Sequence, residues 1–100
     1  MRFEFDWDPA KAAGNLAKHG VSFEDAMAVF RDPLALSQPD DDHSLGEERW
    51  VTLGLNAQTK LLLVVHTYFE QNEDYVVIRL ISARPPSRAE TRQYQEGAAR

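Results

Sequence analysis

The sequence has no cysteine, which excludes disulfides, zinc–thiolate sites, iron–sulfur clusters and cysteine nucleophiles. Long apolar runs are also missing, since the longest, residues 61–65, is far too short to span a bilayer. The first six residues lack the apolar segment of a secretion signal. No P-loop, GxGxxG, GxSxG or HExxH pattern supports nucleotide hydrolysis, dinucleotide redox chemistry or zinc proteolysis. We therefore expect a cytoplasmic protein with no membrane partner.

The charge of the chain is acidic and unevenly distributed. Its 100 residues carry a formal net charge of −5, which argues against a general electrostatic binder of nucleic acid. Residues 1–50 hold 5 basic and 11 acidic side chains, whereas residues 51–100 hold 6 and 5. This length predicts one domain over residues 1–100. The arginines that follow residue 78 leave room for a small basic site on an acidic body.

Hydrophobic periodicity and capping signals predict a β-α-α-β-β-β-β-α order. Asp8-Pro9 and Gly20 bound the first helix, and the second begins at Ser22 and is stopped by Asp32-Pro33. Ser87 and Glu90 form a capping box that begins the last helix. Strands are predicted over residues 2–6, 34–36, 50–55, 61–68 and 75–83, with a turn over 71–74. The fold class is therefore α+β: an antiparallel β-meander sheet with an N-terminal αα-hairpin and a C-terminal helix.

Alternation along the last strand assigns its side chains to two faces. The mostly apolar even positions are expected on the core face and the odd positions on the outer face: Val76, Ile78, Leu80 and Ser82 against Tyr75, Val77, Arg79, Ile81 and Ala83. Arg79 would then project from a rigid strand, where a guanidinium can hold a phosphate. The alternative is a solvated arginine that keeps the open face of the sheet soluble.

A basic end is predicted where the last strand meets the last helix. Arg84 follows the strand, and Arg88 and Arg92 lie at four-residue spacing on the helix. The alternative is that these charges are solvated and paired with Glu90 and Glu96.

His66 lies within an apolar strand and has two interpretations. A histidine titrates near neutral pH, so His66 is a candidate general acid or base. It can equally be a core histidine with both ring nitrogens hydrogen-bonded.

The acidic segment over residues 40–43, with Glu47 and Glu48 nearby, has the composition of a metal site. Consecutive loop residues rarely converge on one ion, and no EF-hand spacing is present. We therefore expect no metal, and we interpret the segment as a solvated loop that shields a sheet edge.

Ordered blocks along nearly the whole chain resemble the BrnT toxin family. The resemblance rests on the following segments: Phe5-Asp6-Trp7-Asp8-Pro9-Ala10-Lys11, the run from Asn15-Leu16-Ala17-Lys18-His19-Gly20 to Ala26, Phe30-Arg31-Asp32-Pro33, Asp42-His43-Ser44, Gly46-Glu47-Glu48-Arg49-Trp50, His66-Thr67, and Arg79-Leu80-Ile81-Ser82-Ala83-Arg84. The chain departs from the family where Tyr68-Phe69-Glu70-Gln71 stands in place of a basic residue after the His-Thr pair.

This resemblance implies a fold, an activity and a partner. The expected protein is a RelE-like ribonuclease toxin of a type II toxin–antitoxin pair that cleaves RNA without a metal or other cofactor and inhibits translation. Its implied partner is a BrnA-like ribbon-helix-helix antitoxin in a 2:2 hetero-tetramer. Operator DNA is then bound only through the antitoxin.

The resemblance also suggests roles for particular residues. Arg79 and Arg84 are expected to stabilise the charge of the transition state, and His66 or Glu48 to transfer the proton. The expected RNA contacts are Arg49, Arg88, Tyr94, Lys18 and His19, although packing is sufficient to explain Tyr94 and the end of a helix to explain Lys18 and His19.

Two other functions are compatible with the sequence. The acidic chain could be an inactive BrnT-like module that mainly binds a basic antitoxin in operon autoregulation. A direct DNA-binding protein requires a basic recognition element, and only the helix after Ser87 qualifies.

Overall fold

The structure, a computed structural model, describes residues 2–40 and 48–98. Within these residues three α-helices, one 3-10 turn and six strands follow in the order β1 Arg2–Asp6, α1 Pro9–His19, α2 Phe23–Met27, the 3-10 turn Ala28–Arg31, β2 Leu36–Pro39, β3 Arg49–Leu55, β4 Leu61–Thr67, β5 Phe69–Asn72, β6 Tyr75–Arg84 and α3 Arg88–Ala98. No helix in this part of the chain is long and apolar enough to cross a membrane.

The helix boundaries follow the predicted capping signals. The Asp8 side chain accepts a hydrogen bond from the Ala10 N–H, and Gly20 ends α1 in the left-handed conformation at φ 69°. Ser22 caps α2 by accepting from the Asp25 N–H. The second helix is shorter than predicted, because it tightens after Met27 into the 3-10 turn.

The α+β class is confirmed, and the sheet is mixed rather than wholly antiparallel. The strand order is β1-β6-β4-β3-β2, and β5 also pairs with β6. The correction concerns β1, which runs parallel to β6 with Phe3 opposite Val76. The helices α1 and α2 separate β1 from the rest of the sheet in sequence, so a parallel pairing is sterically accessible.

The segment between β4 and β6 and the position of β2 also differ from the prediction. A turn was expected over residues 71–74, but residues 71–72 belong to β5, which pairs with β6 so that Phe69 lies opposite Val77. The chain turns only at residues 73–74. The strand expected over residues 34–36 lies instead at Leu36–Pro39. Both shifts lengthen the sheet at its rim, where short polar strands carry a weak sequence signal.

The two faces of the sheet are covered differently. On the core face α1 and α2 enclose a main core that contains Phe23, Val29, Val64 and Ile78, none of which has measurable exposure. On the outer face α3 covers only a small second core, which joins Leu53, Leu63 and Tyr94. Much of the outer face is therefore left open beside α3.

Candidate functional site

A β-bulge in β6 places its two candidate arginines on the same face. His66 pairs with Leu80 and Val65 pairs with Ser82, so Ile81 is an extra residue on the β6 side. Strict alternation would separate Arg79 from Arg84. The bulge shifts the alternation by one residue, and both arginines lie on the outer face.

This bulge corrects two predicted side-chain positions. Ala83 was expected on the outer face, but it is fully buried in the main core. Ser82 was expected on the core face, but it lines an open groove on the outer face. Bulged residues do not follow the period of two, which is why alternation failed beyond Leu80.

The groove lies on the outer face beside α3 and has a volume of about 750 Å³. Its floor is aliphatic and includes Val51, Val65 and Ile81. Arg49 and Arg84 contribute cationic side chains to its lining, and Gln38, Asp40, Glu90 and Gln93 contribute further polar ones. Arginines beside an apolar floor can bind the phosphate oxygens of a ligand while an uncharged part of the same ligand contacts the floor.

Arg84 is anchored to the first turn of α3. Its Nη1 and Nη2 donate to the two carboxylate oxygens of Glu90, each at 2.9 Å, and Nη1 also donates to the Pro85 carbonyl at 3.1 Å. The hydrogen bonds from Arg84 outweigh burial and lower the pKa of Glu90 to about 2. The same pair raises the pKa of Arg84. Both groups are therefore ionised throughout the physiological range.

Arg79 is exposed and lies two residues before the groove residue Ile81. On one side it is in register with Asp6 of β1. On the other side, the unshifted register from Phe69 opposite Val77 to His66 opposite Leu80 brings Thr67 opposite Arg79.

Thr67 also links this position to the groove. Thr67 is directly opposite Arg49 in the β3–β4 ladder. Arg49 and Arg79 therefore flank the same residue of β4, one on either side. Arg84, which lies opposite Leu63 of the same strand, is the third arginine on the outer face, and we call this set of three the arginine face.

His66 lies away from the arginine face. It is 2% exposed on the core side, where its ring packs edge-on against Phe30 at 4.8 Å. Its Nδ1–H donates to the Thr67 carbonyl at 3.0 Å, which leaves Nε2 to accept from the Thr52 hydroxyl at 2.7 Å. Burial lowers the pKa of His66 despite the opposing bond to Thr67. This is the geometry of a neutral core histidine with both nitrogens occupied.

Tyr94 is also part of the interior. Its hydroxyl donates to Asp32 Oδ2 at 2.6 Å, and the same carboxylate accepts from the Leu55 N–H at 2.9 Å and the Leu34 N–H at 2.9 Å. Burial and the bond to Asp32 raise the pKa of Tyr94 to about 12. Tyr94 therefore anchors α3 to the sheet.

The remaining candidates lie outside the groove lining. Arg88 belongs to a shallow surface beside the start of α3, together with Arg92. Lys18 and His19 occupy the last turn of α1, where cations complement the helix dipole. Glu48 is exposed and precedes Arg49 in sequence. The acidic segment lies mainly outside the described residues, and no group of three or more His, Asp or Glu side chains within residues 2–40 and 48–98 could hold a metal ion.

Sequence reasoning missed Asn15, which supports the arginine face from behind. Its side chain is buried and bonds the Ala83 backbone twice, from Nδ2 to the carbonyl at 2.8 Å and from the Ala83 N–H to Oδ1 at 3.0 Å. Nδ2 also donates to the Val21 carbonyl at 2.9 Å. Asn15 thus fixes β6 between Ser82 and Arg84. Apart from its place in a family-like block, the sequence signal was an asparagine in the middle of a helix, where its side chain disfavours the helix.

The fold and the arginine face define a small α+β protein with three arginines on the sheet face that carries an open groove. Residues 7–90 match a family described as "Ribonuclease toxin, BrnT, of type II toxin-antitoxin system". Because this match covers most of the chain, the protein belongs to the BrnT family of ribonuclease toxins. Membership of a type II family implies a protein antitoxin as partner.

The fold agrees with a solved structure. The crystal structure of the Brucella abortus ribonuclease toxin BrnT superposes with a TM-score of 0.64 at 21% sequence identity, covering 87% of this chain and 100% of that chain. At this identity the likeness establishes the fold alone. No curated protein matches the chain.

Proposed function

We propose that this chain is an endoribonuclease that cleaves RNA at the arginine face without a metal ion. The observation that carries the proposal is the β6 bulge, which brings Arg79 and Arg84 to one face with Arg49 in an otherwise acidic protein. An acidic protein attracts RNA poorly at long range, so binding would depend on these three arginines.

The reaction uses the 2′-hydroxyl of the substrate as its nucleophile. A protein base removes the 2′-proton, the 2′-oxygen bonds to phosphorus, and the bond to the 5′-oxygen breaks. The leaving oxygen takes a proton, which gives a 2′,3′-cyclic phosphate and a 5′-hydroxyl. Arg79 and Arg84 would stabilise the extra negative charge on the phosphoryl oxygens in the transition state.

The proton acceptor in this proposal is Glu48 rather than His66. Glu48 is exposed and precedes Arg49 in sequence, and in this proposal its carboxylate takes the 2′-proton of an RNA bound at the arginine face. His66 would instead be a structural residue, because both of its nitrogens are occupied in the interior.

The partner in this proposal is a BrnA-like ribbon-helix-helix antitoxin. The toxin and antitoxin would form a 2:2 hetero-tetramer in the cytoplasm, and operator DNA would be bound through the antitoxin. The negative charge of the toxin supports this proposal, because an acidic surface accelerates association with a basic partner.

The test is cleavage of a labelled RNA in EDTA by the wild type and by the Arg79→Ala/Arg84→Ala variant. We expect the wild type to cleave and the variant to lose at least about 100-fold in rate, as for the loss of oxyanion stabilisation. Lys11→Ala/Arg31→Ala is the matched control, because it also removes two positive charges, from exposed positions on α1 and the 3-10 turn. Equal cleavage by all three proteins would assign the activity to another site or to a contaminant.

A second candidate is an inactive toxin homologue that only binds the antitoxin. The observation in its favour is that Arg84 already holds a carboxylate and His66 is enclosed. This candidate predicts that neither wild type nor variant cleaves RNA and that both bind the antitoxin equally well.

A further inference from the structure

The five N–H donors of Arg84 are unequally used. Glu90 takes one from Nη1 and one from Nη2, and the Pro85 carbonyl takes the second from Nη1. Within residues 2–40 and 48–98, two donors have no acceptor, the Nε–H and the second N–H of Nη2. These two lie on the same edge of the planar guanidinium, so they form a complete fork for two oxygens of one anion.

The carboxylate that leaves this fork open is itself fixed by the start of α3. Glu90 Oε1 accepts from the Ser87 N–H at 2.7 Å, and the Glu90 N–H donates to Ser87 Oγ at 3.1 Å. This reciprocal pair is a capping box. The side chains of Arg84 and Glu90 are 39% and 22% exposed, so the pair is accessible to solvent at the groove and is also partly buried.

We propose that Glu90 is a positioning residue for RNA cleavage. Its carboxylate, held by Ser87, aligns Arg84 so that the Nε and Nη2 edge of the guanidinium receives two oxygens of the scissile phosphodiester. This inference rests on the proposed function, and it assigns the capping box a second role beyond helix initiation.

A positioning role and a blocking role for Glu90 predict effects of opposite sign. A carboxylate near a phosphate site repels the substrate, so a carboxylate that merely occupied the arginine would restrain the enzyme, and its neutralisation would accelerate cleavage. A carboxylate that aligns the arginine is required in the transition state, so its neutralisation slows the chemical step.

The decisive variant is Glu90→Gln, because glutamine preserves the capping box and the size of the side chain. We expect kcat to fall by about 10- to 100-fold, as for a misplaced catalytic group, while KM stays the same or decreases. Glu96→Gln is the matched control, since it makes the same charge change at an exposed position on α3. An increase in kcat, or a change confined to Tm, would overturn the proposal.

A double variant tests whether Glu90 acts through Arg84. Arg84→Ala and Arg84→Ala/Glu90→Gln should have the same residual rate, because Glu90 has nothing to align once the guanidinium is gone. A further loss of rate in the double variant would show that Glu90 acts on the reaction in another way, against the proposal.

A measurement without cleavage separates this inference from the proposed function. In ¹⁵N-labelled protein, inorganic phosphate should shift the Arg84 Nε–H resonance in the wild type and shift it much less in Glu90→Gln. If the wild type shows this shift but cleaves no RNA, the ribonuclease proposal fails and the aligned fork stands. If phosphate does not move the resonance in the wild type, the fork itself is refuted.

Discussion

The Tyr94 hydroxyl offers a sharp test of how α3 is held on the sheet. Tyr94→Phe removes one oxygen atom and leaves the ring in the small outer core. It deletes the 2.6 Å hydrogen bond to the Asp32 carboxylate, the bond that ties α3 to the end of β3 through the Leu55 N–H. The variant therefore tests one interaction with little change in packing.

The expected cost is about 2 kcal/mol in the free energy of unfolding. A hydrogen bond to a charged group contributes about 1.5–3 kcal/mol. Asp32 keeps its two backbone donors, Leu34 and Leu55, so no buried charge is left without a partner and the cost stays within that range. For a domain of this size, 2 kcal/mol corresponds to a decrease in Tm of about 8–16 °C.

The assay is urea and thermal unfolding followed by circular dichroism, with Tyr75→Phe as the control. The Tyr75 hydroxyl makes no hydrogen bond within the described residues, and its loss should change stability by less than about 0.5 kcal/mol. A similarly small effect for Tyr94→Phe would refute the anchoring role. At a temperature where both variants are folded, Tyr94→Phe should retain RNA cleavage; its abolition would instead identify Tyr94 as a participant in the chemistry.

Two further predictions concern acid and the buried asparagine. The pKa of Glu90 is about 2 in the folded chain against an ordinary 4.5. Its stabilising contribution is therefore complete above pH 4.5 and is lost as the pH falls towards 2. Glu90→Gln should flatten this part of the plot of unfolding free energy against pH. Asn15→Ala leaves buried backbone groups of β6 without partners and should cost about 3 kcal/mol or more in urea unfolding, whereas Lys11→Ala on the exposed side of α1 should cost little.

The sequence was informative wherever a local rule decided the structure. Asp8, Gly20, Ser22 and Ser87 each predicted a helix end through a short-range hydrogen bond or a backbone conformation that few residues adopt. The outer position of Arg79 followed in the same way from alternation within a regular strand. These features depend on neighbours a few residues apart, so one sequence was sufficient.

The features that the sequence did not predict depend on contacts between residues far apart in the chain. The bulge at Ile81 lies in the pairing of β6 with β4, from which β5 and a turn separate it in sequence, and it is supported by Asn15 from α1. No periodicity in β6 reveals either contact. The burial of His66 required knowing that Phe30 and Thr52 would surround it. Strand order and the parallel pairing of β1 are likewise long-range properties. The outer face could therefore be predicted only in part.

The position of β6 in the sheet has a consequence for synthesis of the protein. It is the last strand along the chain, yet it lies between β1 and β4 and pairs with both. During synthesis, β1 has no strand to pair with until residues 75–84 have left the ribosome. Until then β4 can pair only with β3. Under the proposed function, a prematurely terminated toxin that ends before β6 is harmless to its host, because the strand that completes the sheet also carries Arg79 and Arg84.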